Sequence, residues 1–194
     1  MHHIYTTEAI VIKSMPMGEA NRIYFLLTRD LGFIKATAQG VRLAKSKLKG
    51  HLLTFSLVKI SVVKGKDLWR ITSAESIVQN GVIRDYAKLS VLFNSSALLL
   101  RLIHGEEKNE KLFECVESTY IFCRDADPSH EDLKNTEILT VLRIMHFLGY
   151  IKKAEGLSIF AESTNLTPEL LADFIPKSKA AVLEINRALK ETHL

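Results

Sequence analysis

The sequence predicts an α+β protein: a five-stranded β-barrel over residues 1–80, followed by an α-helical domain over residues 81–194. Three observations carry this. Across the first 80 residues, apolar and polar side chains alternate with a period of two, as in strands buried on one face. From about Arg84 onward, apolar residues recur at three- and four-residue steps, the period of amphipathic helices. The charge divides at the same place: residues 1–80 hold 12 Lys+Arg against 5 Asp+Glu, a balance of +7, and residues 81–194 hold 14 against 17, a balance of −3. A basic front unit of this kind points to nucleic acid as its partner and leaves another task to the second unit.

In EAIVIKS (8–14) and RIYFLLT (22–28), β-branched and aromatic residues dominate. FIKATA (33–38) sets Ile34, Ala36 and Ala38 on one face against Lys35 and Thr37 on the other, and Leu31-Gly32 turns the second run into the third. LVKISVV (57–63) turns Val58, Ile60 and Val62 inward and Lys59 and Ser61 outward. GKD (65–67) makes the next turn, and LWRITSA (68–74) sets Trp69 and Ile71 against Arg70 and Thr72. Five short strands with a long connection after the third fit a small closed barrel of OB or of Src-homology-3 type, since alternation reports the buried face and not the strand order. Tyr24 faces outward if Ile23, Phe25 and Leu27 face in, while Phe33, Phe55 and Trp69 all fit a core, so no set of stacking aromatics emerges.

Leu89, Leu92, Phe93, Leu99, Leu100 and Ile103 mark the first helix. Leu112, Phe113, Val116, Tyr120 and Cys123 mark the second, with Glu110, Glu114 and Glu117 opposite. Asp127-Pro128-Ser129 ends it; Ser129 caps a third helix, with Asp132 near its positive end and Gly149 as its stop. Thr167-Pro168-Glu169 starts a short helix that ends before Pro176, and Ser178 caps the last. Residues 150–166 are read as irregular, with a short extended piece at 157–160.

A hydrophobic fraction of 47% with 25% charged residues is that of a globular protein. The longest uncharged apolar run, Val91 to Leu100, is half of the roughly 20 residues a membrane span needs. No secretory signal opens the chain, so a cytoplasmic location is expected. Cys115 and Cys123, eight apart on one helix, would lie about 12 Å apart along its axis, beyond the roughly 7 Å a disulfide allows. Buried thiols are expected, with no structural zinc. Phosphate-binding loops, nucleophile elbows and zinc-protease signatures are all missing, so no enzyme activity and no cofactor are expected. His104 and His146 fall on apolar helix faces and are read as packing residues, and Glu19 with Arg22 as an ion pair at a turn.

The basic residues form a pattern. Lys35, Lys59 and Arg70 come from three strands, each opposite the apolar face, and make a cationic strip if those strands are neighbours. QGVRLAKSKLKG (39–50) adds Arg42, Lys45, Lys47 and Lys49, and is read as a mobile loop hinged at Gly40 and Gly50, with Ser46 as a donor to phosphate. Cations so placed suit a groove that tracks a nucleic-acid backbone.

TEAIVIKS, GEANRIYFLLTRDLG, AQGVRLAKSKLKG and LLTFSLVKI, in that order and spacing, resemble the N-terminal domain of the RecO family of bacterial DNA repair and recombination mediators. The most specific parts are Gly18-Glu19-Ala20-x-Arg22, Leu27-Thr28 with Gly32, and Gly40-x-Arg42 through Lys45-Ser46; SALLLRL and FLGY carry a weaker likeness in the helical half. The resemblance implies an OB fold in front of a helical domain. It also implies a non-enzymatic protein that binds single- and double-stranded DNA, anneals strands and helps load RecA with RecR. The C-terminal tail of the single-strand DNA-binding protein is a further implied partner. Many relatives carry a four-cysteine zinc module after LGY; IKKAEGLSIFAESTNLTPELL has no cysteine, so no zinc site is carried over. Asn21 stands where an Asp is usual. Two other readings stay open: a protein-interaction scaffold whose barrel takes an acidic partner, and an RNA-binding OB protein, which would prefer RNA to DNA of the same sequence.

Overall fold

A computed structural model of the chain describes residues 3–78, 83–103, 105–152 and 156–191. The chain divides into two compact units, Met1–Val82 with His104–Glu110, and Ile83–Ile103 with Lys111–Leu194. In the first, β1 (Ile4–Met17), β2 (Asn21–Thr28), β3 (Gly32–Ala38), β4 (Leu57–Lys64) and β5 (Trp69–Ser76) close into a barrel in the order β1-β2-β3-β5-β4. β4 returns antiparallel to β1, and β3 meets β5 in parallel. This order is that of the OB barrel and decides between the two barrel types that alternation leaves open. Ala9, Val11, Tyr24, Leu26, Ile34, Ala36, Val58, Ile60, Val62 and Trp69 fill the interior.

Tyr24 is 2% exposed inside the barrel, and Phe25 stands on the outer wall, the reverse of the expected parity. β2 is apolar on both faces, so its own alternation has little contrast and its partners set which face turns in. Arg22 also differs from expectation: its guanidinium donates to the Ser14 hydroxyl at 3.0 and 3.2 Å, across the β1–β2 pair, rather than to Glu19.

Residues 105–110 follow a helix of the second unit in sequence but lie on the barrel. Gly32 makes this possible: at φ +69°, a Cβ there would stand 2.3 Å from the Glu107 carbonyl oxygen. Glu106 then accepts from Trp69 Nε1 at 2.9 Å and lies 3.4 Å from Lys64 Nζ, and Lys108 Nζ lies 3.2 Å from Asp30. The Thr7 hydroxyl, followed by Lys108, holds the Asp30 carboxyl below its ordinary range.

The second unit holds α1 (Tyr86–Leu102), α2 (Glu110–Asp125), α3 (His130–Phe147), α4 (Ser158–Glu162), α5 (Pro168–Phe174) and α6 (Ser178–Glu191). α3 is central and touches α1, α4, α5 and α6. Its start is a capping box between Ser129 and Asp132, and Gly149 at φ +81° follows its end. Thr167 caps α5, with Pro168 in its first turn. On α1 the buried face is Val91, Leu92, Ser95, Ser96, Leu99 and Leu102, while Phe93 is 56% exposed. Ser95 is buried at no polar cost because its hydroxyl bonds back to the Val91 carbonyl, a fact hydropathy cannot register. Residues 158–162 are helical rather than extended; Ile159 is 81% exposed, so the apolar spacing there does not report a buried strand face. His146 packs with Nδ1 3.0 Å from the Ile151 carbonyl oxygen. His104 and the switch near Gly81 lie outside the described residues.

Candidate nucleic-acid interface

Strict alternation along β1 would put Lys13 on the same inward face as Ala9 and Val11. The register breaks between Val11 and Lys13, so that Val11 pairs with Leu26 and Lys13 with Phe25. This bulge at Ile12 turns every later residue of β1 over, and Lys13 emerges on the outer wall. Phe25 in turn pairs with Lys35 on β3. Lys13, Phe25 and Lys35 therefore stand in one rank across three strands, spaced about 4.8 Å from strand to strand. The ammoniums flank the ring, Lys13 Nζ at 6.0 Å and Lys35 Nζ at 5.7 Å from its centroid. Arg70 joins the next rank, where Thr37 pairs with it. A half-exposed aromatic between cations is the arrangement that holds both a base and its phosphates. Lys13 was invisible to periodicity because a bulge leaves no mark on hydropathy.

The other cations lie elsewhere on the barrel. β4 and β5 are neighbours, so Lys59 and Arg70 belong to one sheet, but Lys59 pairs in register with Glu8 on β1 and Glu75 on β5. It does not continue the Lys35–Arg70 strip; it faces a groove described below.

Residues 39–50 are not a free loop. Val41 is 1% exposed and Leu52 4%, both within the barrel core, and Leu48 packs against it. Gly40 N–H donates to Asn21 Oδ1 at 2.9 Å, Arg42 N–H to the Ala20 carbonyl and Arg42 Nη1 to the Gly18 carbonyl at 2.7 Å. The Asn21 side-chain oxygen thus offers the acceptor that an Asp would offer there. Val41, Leu48 and Leu52 plug the barrel end, which leaves Arg42, Lys45, Lys47 and Lys49 exposed on a fixed platform. Ser46 is half-buried, its backbone N–H bonded to the Leu43 carbonyl. Gly50 has open space around it.

Ion pairing sorts these charges. Arg29 is bonded to Glu8 at 2.8 Å and Lys64 to Glu106. Lys13, Lys35, Lys45, Lys47, Lys49, Lys59 and Arg70 make no ion pair among the described residues, so their charge is available to a ligand.

Residues 1–80 match the family model described as the N-terminal domain of recombination protein O. The DNA repair protein RecO of Dehalococcoides mccartyi is 36% identical over 118 residues, which is 60% of this chain and 47% of that protein. Residues 1–80 belong to the RecO N-terminal domain family. The RecO of Gloeothece citriformis is 34% identical over 115 residues, 59% of this chain and 41% of the relative. That of Bifidobacterium adolescentis is 42% identical over 74 residues, 38% and 30% of the two chains. Each match spans under half of the relative's own length. The barrel is thus the part of the chain that the family model covers.

No three His, Cys, Asp or Glu side chains among the described residues come together as metal ligands would. Cys115 and Cys123 are both buried on α2, and burial pushes each thiol up to about 12. No helix among the described residues is long and apolar enough to cross a membrane.

Proposed function

We propose that the chain is a non-enzymatic DNA repair and recombination mediator whose barrel binds the backbones of single- and double-stranded DNA. Lys35, Arg42, Lys45, Lys47, Lys49, Lys59 and Arg70, joined by Lys13, supply the charge. One observation carries this reading: the rank in which two unpaired ammoniums flank Phe25 on the wall of a RecO N-terminal domain. Contacts to phosphate position a strand without reading its sequence, which suits a protein that must act anywhere on a chromosome. Strand annealing, loading of RecA with RecR, and capture of the acidic tail of the single-strand DNA-binding protein by the helical unit complete the proposal, with a nucleoid-associated location in the cell.

The test is a titration of labelled single strands across a range of salt. Each phosphate contact contributes about 0.7 to the log–log slope for a single strand. Removing Lys13, Lys35 and Arg70 together, each to Ala, is expected to lower the slope by about 2 and to weaken binding. A slope near zero in the parent protein overturns the reading. Preference for RNA over the same DNA sequence would favour the RNA-binding alternative.

A further inference from the structure

We infer that the barrel carries a second, separate site for the phosphodiester backbone of a single strand, in the groove between residues 39–56 and the outer wall of β4 and β5. The inference deepens the proposed function and rests on it, because it divides the same cations between two tracks. In the barrel order β1-β2-β3-β5-β4, β2 lies two strands from both β4 and β5, so the Phe25 rank and this groove face different directions.

The groove encloses about 590 Å³, larger than one phosphate needs and open along the wall. Lys47 reaches it from the plugged segment and Lys59 from β4. Neither makes an ion pair among the described residues; the Glu8 carboxylate next to Lys59 is held by Arg29 at 2.8 Å. A second bulge supplies hydroxyls. The β4–β5 register passes from Ser61 opposite Ser73 to Val62 opposite Ile71, which leaves Thr72 as the extra residue. Both Thr72 and Ser73 are therefore exposed, side by side, where unbroken pairing would turn one of them inward. Thr72 is anchored by its bond to the Ser61 carbonyl at 3.1 Å.

His51 completes the donor set. The backbone N–H of Ser76 lies 3.3 Å from His51 Nδ1, and a backbone N–H can only donate, so Nδ1 is the acceptor. In the neutral ring the proton is then on Nε2, which is a donor. Two ammoniums, a ring N–H and the Ser73 hydroxyl supply donors, with Glu75 as the one carboxylate of the lining; the Thr72 proton is already given to the Ser61 carbonyl. A phosphodiester chain, one negative charge and several acceptors per link, is the complementary ligand.

Calorimetric titration of the full chain with an oligo-dT of about 12 nucleotides separates the cases. At low salt the parent protein is expected to bind two oligonucleotides. Lys47→Ala with Lys59→Ala is expected to leave one, and so is Ser73→Asp, which puts a carboxylate into the groove and keeps both lysines. The Lys13, Lys35 and Arg70 triple variant is expected to leave the other. All these side chains are exposed, so the fold is unaffected. Unchanged stoichiometry in both groove variants overturns the second site, as does a parent stoichiometry of one. Inorganic phosphate should displace the oligonucleotide no better than chloride at equal ionic strength; selective displacement by phosphate overturns a strand backbone as the ligand in favour of a free anion. A parent protein that binds no oligonucleotide overturns the proposed function itself, a result distinct from all of these.

Discussion

Arg143 is the least expected residue of the helical unit: an arginine fully buried on α3. Burial lowers its pKa, yet a guanidinium stays charged at any working pH. Its charge is met by carbonyl dipoles: Nε donates to Phe160 O at 2.8 Å and Nη2 to Asn165 O at 2.9 Å, while Nη1 has no protein partner among the described residues. One side chain thus ties α3 to the segment around α4 that precedes α5. Ser118 of α2 ties down the same segment through the Thr164 carbonyl. In this stretch hydrogen bonds do the cross-linking. A hydrogen bond to a charged group is worth about 1.5–3 kcal/mol, so Arg143→Ala is expected to cost at least about 3 kcal/mol in urea unfolding followed by far-UV circular dichroism. Arg143→Lys should recover less than half of that, because a single ammonium cannot span both carbonyls as the fork does. A loss of under about 1 kcal/mol for the alanine variant would remove Arg143 from this role.

Among the elements, the strands carry function by breaking their own rule. Regular pairing would bury Lys13 and hide one of Thr72 and Ser73; the two bulges turn them out, one on each wall. The Gly105–Glu110 stretch is the converse case, irregular backbone held by a regular strand end. It depends on Gly32, both for its positive φ and for the room under Glu107. A left-handed conformation costs a residue with a Cβ about 1–2 kcal/mol. Gly32→Ala adds a backbone clash and is expected to destabilise the barrel by about 2 kcal/mol or more. Its Trp69 emission should shift as well, since Glu106 would leave the indole N–H. Parent-like stability and emission would mean that the stretch does not bear on Gly32.

At the scale of the whole molecule, each unit has a core of its own: the barrel interior, and the helices around α3, where Leu139, Leu142, Ile144 and Met145 are fully buried. The single tryptophan, Trp69, lies in the barrel, whereas far-UV circular dichroism is dominated by the helices. Two cores predict two transitions. Denaturant curves from Trp69 fluorescence and from circular dichroism are expected not to coincide, and coincident curves would mark a single cooperative unit. The charge division at residue 80 follows the same partition, a basic barrel and a slightly acidic helical unit.

By itself the sequence determined what depends on near neighbours. Alternation located the five strands and the inward faces of β3, β4 and β5; Ser129, Gly149, Thr167 and Pro168 marked helix ends through bonds that close within a few residues. The motifs from Gly18 to Ser46 placed the barrel in its family. Tertiary structure decided what depends on partners far along the chain: the closing order of the barrel, the outward turn of Lys13, the inward turn of Tyr24, and the burial of Ser95 and Ser96 on α1. Counting charges in QGVRLAKSKLKG found the cations but not the plug, because Val41, Leu48 and Leu52 show their purpose only when the barrel end is there to receive them. Lys59 likewise belongs with Lys35 on a list of outward residues, and only the register places it between Glu8 and Glu75, beside a different groove. Periodicity is a local property; a bulge or a register is a choice between two strands, made by packing that neither strand contains alone.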